Sequence, residues 1–306
     1  MDVAEKYRQP EVVSFWRQFS SQGLQAGEEA MLARYAPPAG EVLDLGCGGG
    51  RASIALEPRG YRVTGLDISK EMLSAARELG RQHGLEPRWV QADLRAIPLE
   101  TSYFDLVLIL IAALQHVSGR ANRRLVFREV ARVLRPGGVL ILGLDNLAPA
   151  FRCYLYWGGR KAAGRLGLGR NGQGEPFADR RALPDMAADR LLASGRGGMG
   201  KMSWHLRGLA RALRWRTLTG WLDLGRKLRL AGGEVGDTRI RQVSLTPTAG
   251  LVYYHIYGHH EAVADASAAG LELVATHSGG ELSSGQDFSP QIRRLDKQVM
   301  YAFRRP

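Results

Sequence analysis

Three carboxylates stand where short apolar runs end: Asp44, Asp67 and Asp93. The first sits in EVLDLGCGGG (41–50), which continues into Gly46, Gly48 and Gly50 at two-residue spacing. Glycine at such positions lets the backbone turn sharply and approach a ligand more closely than any Cβ would permit. The loop is not the G-x-G-x-x-G of a dinucleotide site, because position 51 is Arg51. Asp44 is expected to face the cationic amino end of a methionine moiety, a charge that a pyrophosphate site would not want. Asp67, in VTGLDIS (63–69), is placed to accept both hydroxyls of a ribose, with Ile68 packing on the adenine. Asp93, in VQADL (90–94), is placed to accept from the adenine amino group while the Leu94 amide faces a ring nitrogen. Taken alone, the glycine loop also fits a plain turn in some other α/β protein. Asp105 begins its apolar run instead of ending it, so a turn or capping role is expected there.

The elements that must position these carboxylates follow from periodicity. Residues 41–45, 62–66, 87–91, 104–110 and 139–144 are short, largely apolar strand candidates, several of them apolar on both faces. Between them, 69–83 reads as an amphipathic helix capped by Ser69, with Met72, Leu73, Ala76 and Leu79 on one face. Residues 120–134 read as a second helix, stopped by Arg135-Pro136-Gly137-Gly138. One or two helices lead the chain, with Tyr7, Phe15 and Trp16 as contacts. The pattern predicts an α/β fold, a doubly wound and mostly parallel sheet, whose carboxyl strand ends gather the three aspartates at one ligand site.

The segments 42–50, GLDIS (65–69), QADL (91–94), FDLVL (104–108) and VLRPGGVLI (133–141) resemble, in order and spacing, the class I S-adenosylmethionine-dependent methyltransferase superfamily. The resemblance covers about residues 35–146 and implies S-adenosyl-L-methionine as cofactor. It implies cofactor contacts at Gly46, Gly48, Asp67, Ile68, Asp93 and Leu94, beside Asp44 and Gly50 of the same loop. Methyl transfer from a sulfonium is an in-line displacement, and a base is needed only when the nucleophile arrives protonated. His116, just beyond the fourth strand, is the candidate base, with Gln115 orienting the acceptor; the alternative is that His116 caps or packs on the following helix.

From about residue 147 the chain turns Arg- and Gly-rich. Residues 1–150 carry 18 Lys/Arg against 17 Asp/Glu, 151–250 carry 19 against 7, and 251–306 carry 5 against 6, so the middle third holds the whole net charge of +12. The division expected is a cofactor-binding core at 1–146, a basic insertion or cap at 147–250, and 251–306 completing the core. Within the insertion, 206–230 reads as a helix with Arg207, Arg211 and Arg214 on one face and Trp204, Trp215 and Trp221 as stacking partners or anchors. Further strands are expected at 239–245, 251–257, 271–277 and 298–303, and a helix near 261–269.

On an alternating strand Tyr253, His255 and Tyr257 share one face and Tyr254 the other, with His259 and His260 belonging to the next helix cap. The Tyr253-Tyr254-His255 run, the basic insertion and Arg123-Arg124 are similar to features of methyltransferases acting on a carboxymethyl group of wobble uridines in transfer RNA. That family's paired histidines are here Gln115-His116. A small-molecule acceptor is the first expectation, with Tyr254, His255, Tyr7 and Trp16 toward the substrate. Transfer RNA, with the basic insertion gripping a polyanion, is the second, and a non-catalytic S-adenosylmethionine- or RNA-binding module the third. At 306 residues and 45% apolar content the chain is expected to fold with a sizeable core. Cys47 and Cys153 are its only cysteines, so no thiolate metal site is expected. Without an apolar leader or spanning run it is expected to be cytoplasmic, and oligomeric state is left open.

Overall fold

The computed structural model describes residues 3–145, 237–240, 252–285 and 298–306. The expected helix at 206–230, its arginines and tryptophans, and Cys153 lie outside the described residues.

Three helices lead the chain: α1 (Val3–Lys6), α2 (Pro10–Ser20) and α3 (Ala26–Tyr35). They are followed by β1 (Gly40–Leu45), α4 (Arg51–Leu56), β2 (Tyr61–Asp67), α5 (Lys70–Gln82), β3 (Arg88–Gln91), β4 (Phe104–Ile109), α6 (Arg120–Val133) and β5 (Leu134–Asp145). After β6 (Asp237–Ile240) and β7 (Val252–His255) come α7 (His259–Ser267), β8 (Glu272–Ser278), α8 (Gly279–Ser284) and β9 (Gln298–Arg304). Seven strands form one sheet in the order β3-β2-β1-β4-β5-β9-β8; β6 and β7 pair separately, antiparallel. The first five strands are mutually parallel, and β9 enters antiparallel between β5 and β8. The chain runs outward from β1 to β3 and then returns to β4. The direction of winding therefore reverses between β1 and β4, where a doubly wound sheet opens a crevice beyond its strand ends.

Alternation along the central strands explains the two layers. Val107 and Ile109 of β4 join a core with Val126, Phe127 and Val130 of α6 and with Ala262 and Ala266 of α7. Leu106 and Leu108 of the same strand join the opposite core with Met31 of α3, Ala52 of α4 and Leu282 of α8. A strand buried on both faces must be apolar at successive positions, as these are.

Ser69 caps α5 as expected, its Oγ accepting from the Met72 N–H at 3.2 Å. The fifth strand is longer than expected. It begins at Leu134 because Gly137 and Gly138 are paired with Arg305 by backbone hydrogen bonds of 2.7 and 2.9 Å instead of forming a free turn. Asp105 accepts from the Glu41 N–H and is gripped by Arg135, both at 2.8 Å, so it ties β1 to β4 and β5 far from the crevice. Helices α4 and α8 were not expected; both are six residues long, too short for a period to register. Among the described residues no helix is long and apolar enough to cross a membrane, and no cluster of His, Cys, Asp or Glu could hold a metal ion.

Candidate functional site

The β1–α4 loop takes a left-handed backbone at Gly46, Gly48 and Gly50, with φ of 71°, 53° and 82°. A Cβ on Gly46 would come within 2.5 Å of the Ala113 Cβ, so only glycine lets the loop pass under the segment after β4. Asp67, at the end of β2, organises the loop from the neighbouring strand. Its Oδ2 accepts from the Gly48 N–H and its Oδ1 from the Ser69 N–H, both at 2.9 Å. An ionised carboxylate has about four acceptor positions, so each oxygen retains one for an outside donor. Ile68, next in sequence, is 40% exposed and leaves apolar surface beside the turn.

Asp44 is buried, and its Oδ2 accepts from the Ser53 Oγ at 2.7 Å. Burial lifts its carboxyl from 3.8 to about 6, against the Ser53 hydrogen bond and the nearby Arg51 charge, which pull it down. Arg51 is itself committed elsewhere: it forms a buried two-point pair with Glu28 at 2.5 and 2.6 Å. Asp93 is held by its own neighbour, Arg95, through Nε at 2.9 Å and Nη2 at 2.6 Å, and that hydrogen bonding keeps its carboxyl below the usual range. Leu94 packs against the core under α6.

A second cluster gathers around the short 3-10 turn Leu114–His116. His116 is buried; its Nδ1 lies 3.0 Å from the Tyr253 carbonyl oxygen and its Nε2 3.4 Å from the Tyr7 hydroxyl. A carbonyl only accepts, so Nδ1 carries the proton and Nε2 presents its lone pair to Tyr7. Burial, reinforced by Lys6, lowers the imidazole from 6.5 to about 4. Lys6 is buried too, which lowers its ammonium to about 8, and it lies 4.9 Å from the centre of the Tyr7 ring. The Tyr7 carbonyl accepts from the Ser69 Oγ at 3.0 Å, so the leading segment bridges the Asp67 turn and His116. Trp16 lies 6.4 Å from Tyr7, ring to ring, and its buried indole N–H has no hydrogen-bond partner.

Gln115 does something other than what its position suggested. Its Nε2 donates to the carbonyls of Asp145 and His255 at 2.8 and 2.9 Å, while its Oε1 accepts from the Asp145 N–H and the Tyr254 hydroxyl at 2.7 and 2.9 Å. All four capacities of the amide are used, so Gln115 bolts the end of β5 to β7 and has no hydrogen bond left to orient an acceptor. Tyr254 and His255, expected toward the substrate, are fully buried. As the alternation required, they leave β7 on opposite faces: Tyr254 toward Gln115, Tyr253 and His255 toward Arg123. Arg123, completely buried, donates to the Tyr253 hydroxyl at 3.0 Å and lies 3.1 Å from His255 Nε2 and 5.3 Å from the centre of the Tyr257 ring. Of the features that resemble the transfer RNA enzymes, Arg123 and Tyr253 to His255 thus meet as internal packing between α6 and β7, and Arg124, partly exposed, pairs with Asp265.

Residues 42–138 match the family described as methyltransferase domain. This stretch is thus similar to a methyltransferase domain. Among curated relatives, the malonyl-[acyl-carrier protein] O-methyltransferase of Enterobacter lignolyticus is 42% identical over 123 residues, 39% of this chain and 46% of that protein. The ubiquinone biosynthesis O-methyltransferase of Aeromonas salmonicida is 34% identical over 108 residues, 35% of this chain and 44% of that protein. The chain thus spans less than half the length of these relatives. The fold is shared more widely: a SAM-dependent methyltransferase of Methanosarcina mazei superposes with a TM-score of 0.53 over 90% of this chain and 96% of its own, at 19% identity. The CcbJ methyltransferase of Streptomyces caelestis gives 0.52 over 99% and 96%, at 18% identity.

Of the residues singled out in the sequence, the domain brings Asp44, Gly46, Gly48, Gly50 and Asp67 to one strand-end crevice. Tyr7 and His116 border it through the Ser69 contact. The S-adenosylmethionine that such a domain implies fits these groups, since Asp67 keeps acceptor positions on both oxygens and Ile68 offers exposed apolar surface beside it. Ser53, Lys6 and Asp145 were missed, and Arg123 was singled out only within the Arg123-Arg124 pair, not as a buried residue. Arg123 alone left a usable signal: with Val126, Phe127 and Val130 it falls on the buried stripe of α6 at helical spacing, a place where a cation must have partners inside.

Proposed function

We propose that the chain transfers the methyl group of S-adenosylmethionine to an oxygen of a small-molecule acceptor. The observation that carries the reading is the Asp67 carboxylate. It is fixed by the Gly48 and Ser69 amides with an acceptor position open on each oxygen, where a vicinal diol would be held by two hydrogen bonds. Asp44, held by Ser53, would meet the ammonium group, and Ile68 the adenine face. Asp93 and the Leu94 amide would address the adenine edge, which requires the Arg95 grip on Asp93 to leave an oxygen lone pair available.

When bound, the cofactor supplies a methyl group on a sulfonium, an electrophile that needs no further activation. The C–S bond breaks as the acceptor's C–O bond forms, and the acceptor's proton, if it has one, must leave. His116 presents a single lone pair, already facing the Tyr7 hydroxyl, and burial keeps it a weak base. That arrangement suits an acceptor that arrives ionised better than one needing deprotonation. Tyr7, Trp16 and His116 would then mainly shape and dry the acceptor side. The oxygen acceptor is supported by the two O-methyltransferase relatives, which match over 123 and 108 residues of this chain.

Two measurements test the reading. Asp67→Ala should weaken S-adenosylhomocysteine binding by about 1–3 kcal/mol, the worth of a charge-assisted hydrogen-bond pair, in a protein that remains folded. Radiolabelled methyl transfer should enter a small-molecule extract and not total RNA. Unchanged affinity in the folded variant would remove the cofactor assignment, and label in RNA alone would remove the acceptor class.

A further inference from the structure

Helix α6 carries a second row of charge beside Arg123. Arg120, Arg124 and Arg128 recur every four residues and, with Ala121 and Leu125, line a surface cavity of about 330 Å3. Two of the arginines are pre-positioned. The fully buried Asp265 carboxylate of α7 takes Arg120 Nε at 2.9 Å and Arg124 Nε at 2.7 Å. Arg124 donates through Nε only, so its outer guanidinium edge is directed away from that pair, and Arg128 is exposed with no partner among the described residues. Asp265 is shared between the Arg120 and Arg124 guanidiniums, and Arg128 adds a third to the cavity lining. Of the other carboxylates of these helices, Glu129 is held by Arg132, and Glu261 by His255 and Arg123, with the Arg120 charge also acting on it. Leu125, 38% exposed, forms an apolar wall between the arginines.

We propose that this cavity binds a phosphate monoester. A phosphomonoester carries about −1.5 to −2 charges at neutral pH, which suits a row of arginines in which Arg128 has no ion pair among the described residues. Its oxygens suit the planar fork of arginine, which is less hydrated than an ammonium group and already ordered here by Asp265. Leu125 and Ala121 would contact the organic part of the ester, a feature that free phosphate does not use. None of the residues lining the cavity is among those that form the Asp67 turn.

Calorimetry at fixed ionic strength, with glycerol 3-phosphate, inorganic phosphate and sulfate as probes, tests this on the full chain. Glycerol 3-phosphate should bind more tightly than either inorganic anion. Arg128→Gln should weaken it about tenfold, the loss of one charge-assisted contact, and Arg124→Gln/Arg128→Gln should abolish it. Arg128 has no hydrogen bond or ion pair among the described residues, so the single variant leaves the Asp265 pairs of α6 and α7 in place. S-adenosylhomocysteine binding should be the same in all three proteins, which keeps this test independent of the methyl-transfer reading. No binding of the ester, equal binding of sulfate, or unchanged affinity in Arg128→Gln would overturn the proposal. So would binding confined to an RNA oligomer or to phosphatidic acid vesicles with none to the soluble ester.

Discussion

Asp44→Asn should make the ligand-free protein more stable and the cofactor complex weaker, and the stability gain should depend on pH in a calculable way. The carboxyl is buried and titrates at about 6 in the folded chain, against 3.8 as its ordinary value. A raised carboxyl favours folding only while it is protonated. Its ionisation penalty is nearly absent below the unfolded value and grows as pH rises, levelling off above the folded value. A carboxyl lifted that far destabilises the fold by about 3 kcal/mol at pH 8, whereas at pH 5, where the folded carboxyl is mostly neutral, the same linkage leaves about 1.5 kcal/mol. Asparagine keeps an oxygen for the Ser53 hydroxyl and has no charge to bury. Whatever fixed offset the amide introduces, the variant's advantage should therefore be about 1.5 kcal/mol larger at pH 8 than at pH 5. Urea unfolding of both proteins at the two pH values measures this difference, and other titrating groups cancel between them. In the same variant S-adenosylhomocysteine should bind at least about tenfold less tightly, for want of a carboxylate to meet its ammonium group. Equal stability differences at pH 5 and 8 would refute the burial argument, and a variant binding as tightly as wild type would remove Asp44 from the cofactor site.

His116 has its folded-state titration depressed to about 4, so it favours folding fully above pH 6.5, and that contribution fades as pH falls toward 4. Chemical unfolding should show wild type losing about 3 kcal/mol more than His116→Asn across that window, the contributions of Asp44 and the other titrating groups cancelling between the two. If His116 does act as a base, the acid limb of the pH–rate profile falls near pH 4; a limb near 6.5 would contradict the buried, neutral imidazole. Gln115→Ala removes the Gln115 partner of the Asp145 N–H and of two carbonyls and leaves the Tyr254 hydroxyl its longer bond to the Asp145 carboxylate, and should cost about 3 kcal/mol or more in unfolding free energy. Gln115→Ala with unchanged stability but lost turnover would restore the acceptor-orienting role to that residue.

What was legible in the sequence was what is decided locally. The glycine turn, the Asp67 strand end, the Ser69 cap and the parallel order up to β5 depend on residues within a few positions of one another, and the backbone has few ways to satisfy them. The environment of Gln115 and His116 was not legible, because it is made by Tyr7 and Lys6 from the leading segment and by Asp145, Tyr253 and Tyr254 from later ones. An amide with four partners and one with none are the same letter in a sequence. Arg123 shows the intermediate case, since its place on an apolar stripe announced burial without saying which side chains would receive it.

Strand β9 carries a consequence for assembly. It pairs on one side with β5, Tyr301 opposite Leu142, and on the other with β8, so β8 joins the sheet only through it. Its contact with β5 closes a span of roughly half the chain, and non-local pairings of that kind are slow to form because the entropy of loop closure is lost before the contact rewards it. Until β9 arrives, the apolar edge of β5, with Leu140, Leu142 and Leu144, stands open to strands from other molecules. Refolding yield should accordingly fall with protein concentration, with β5 the segment through which early aggregates nucleate.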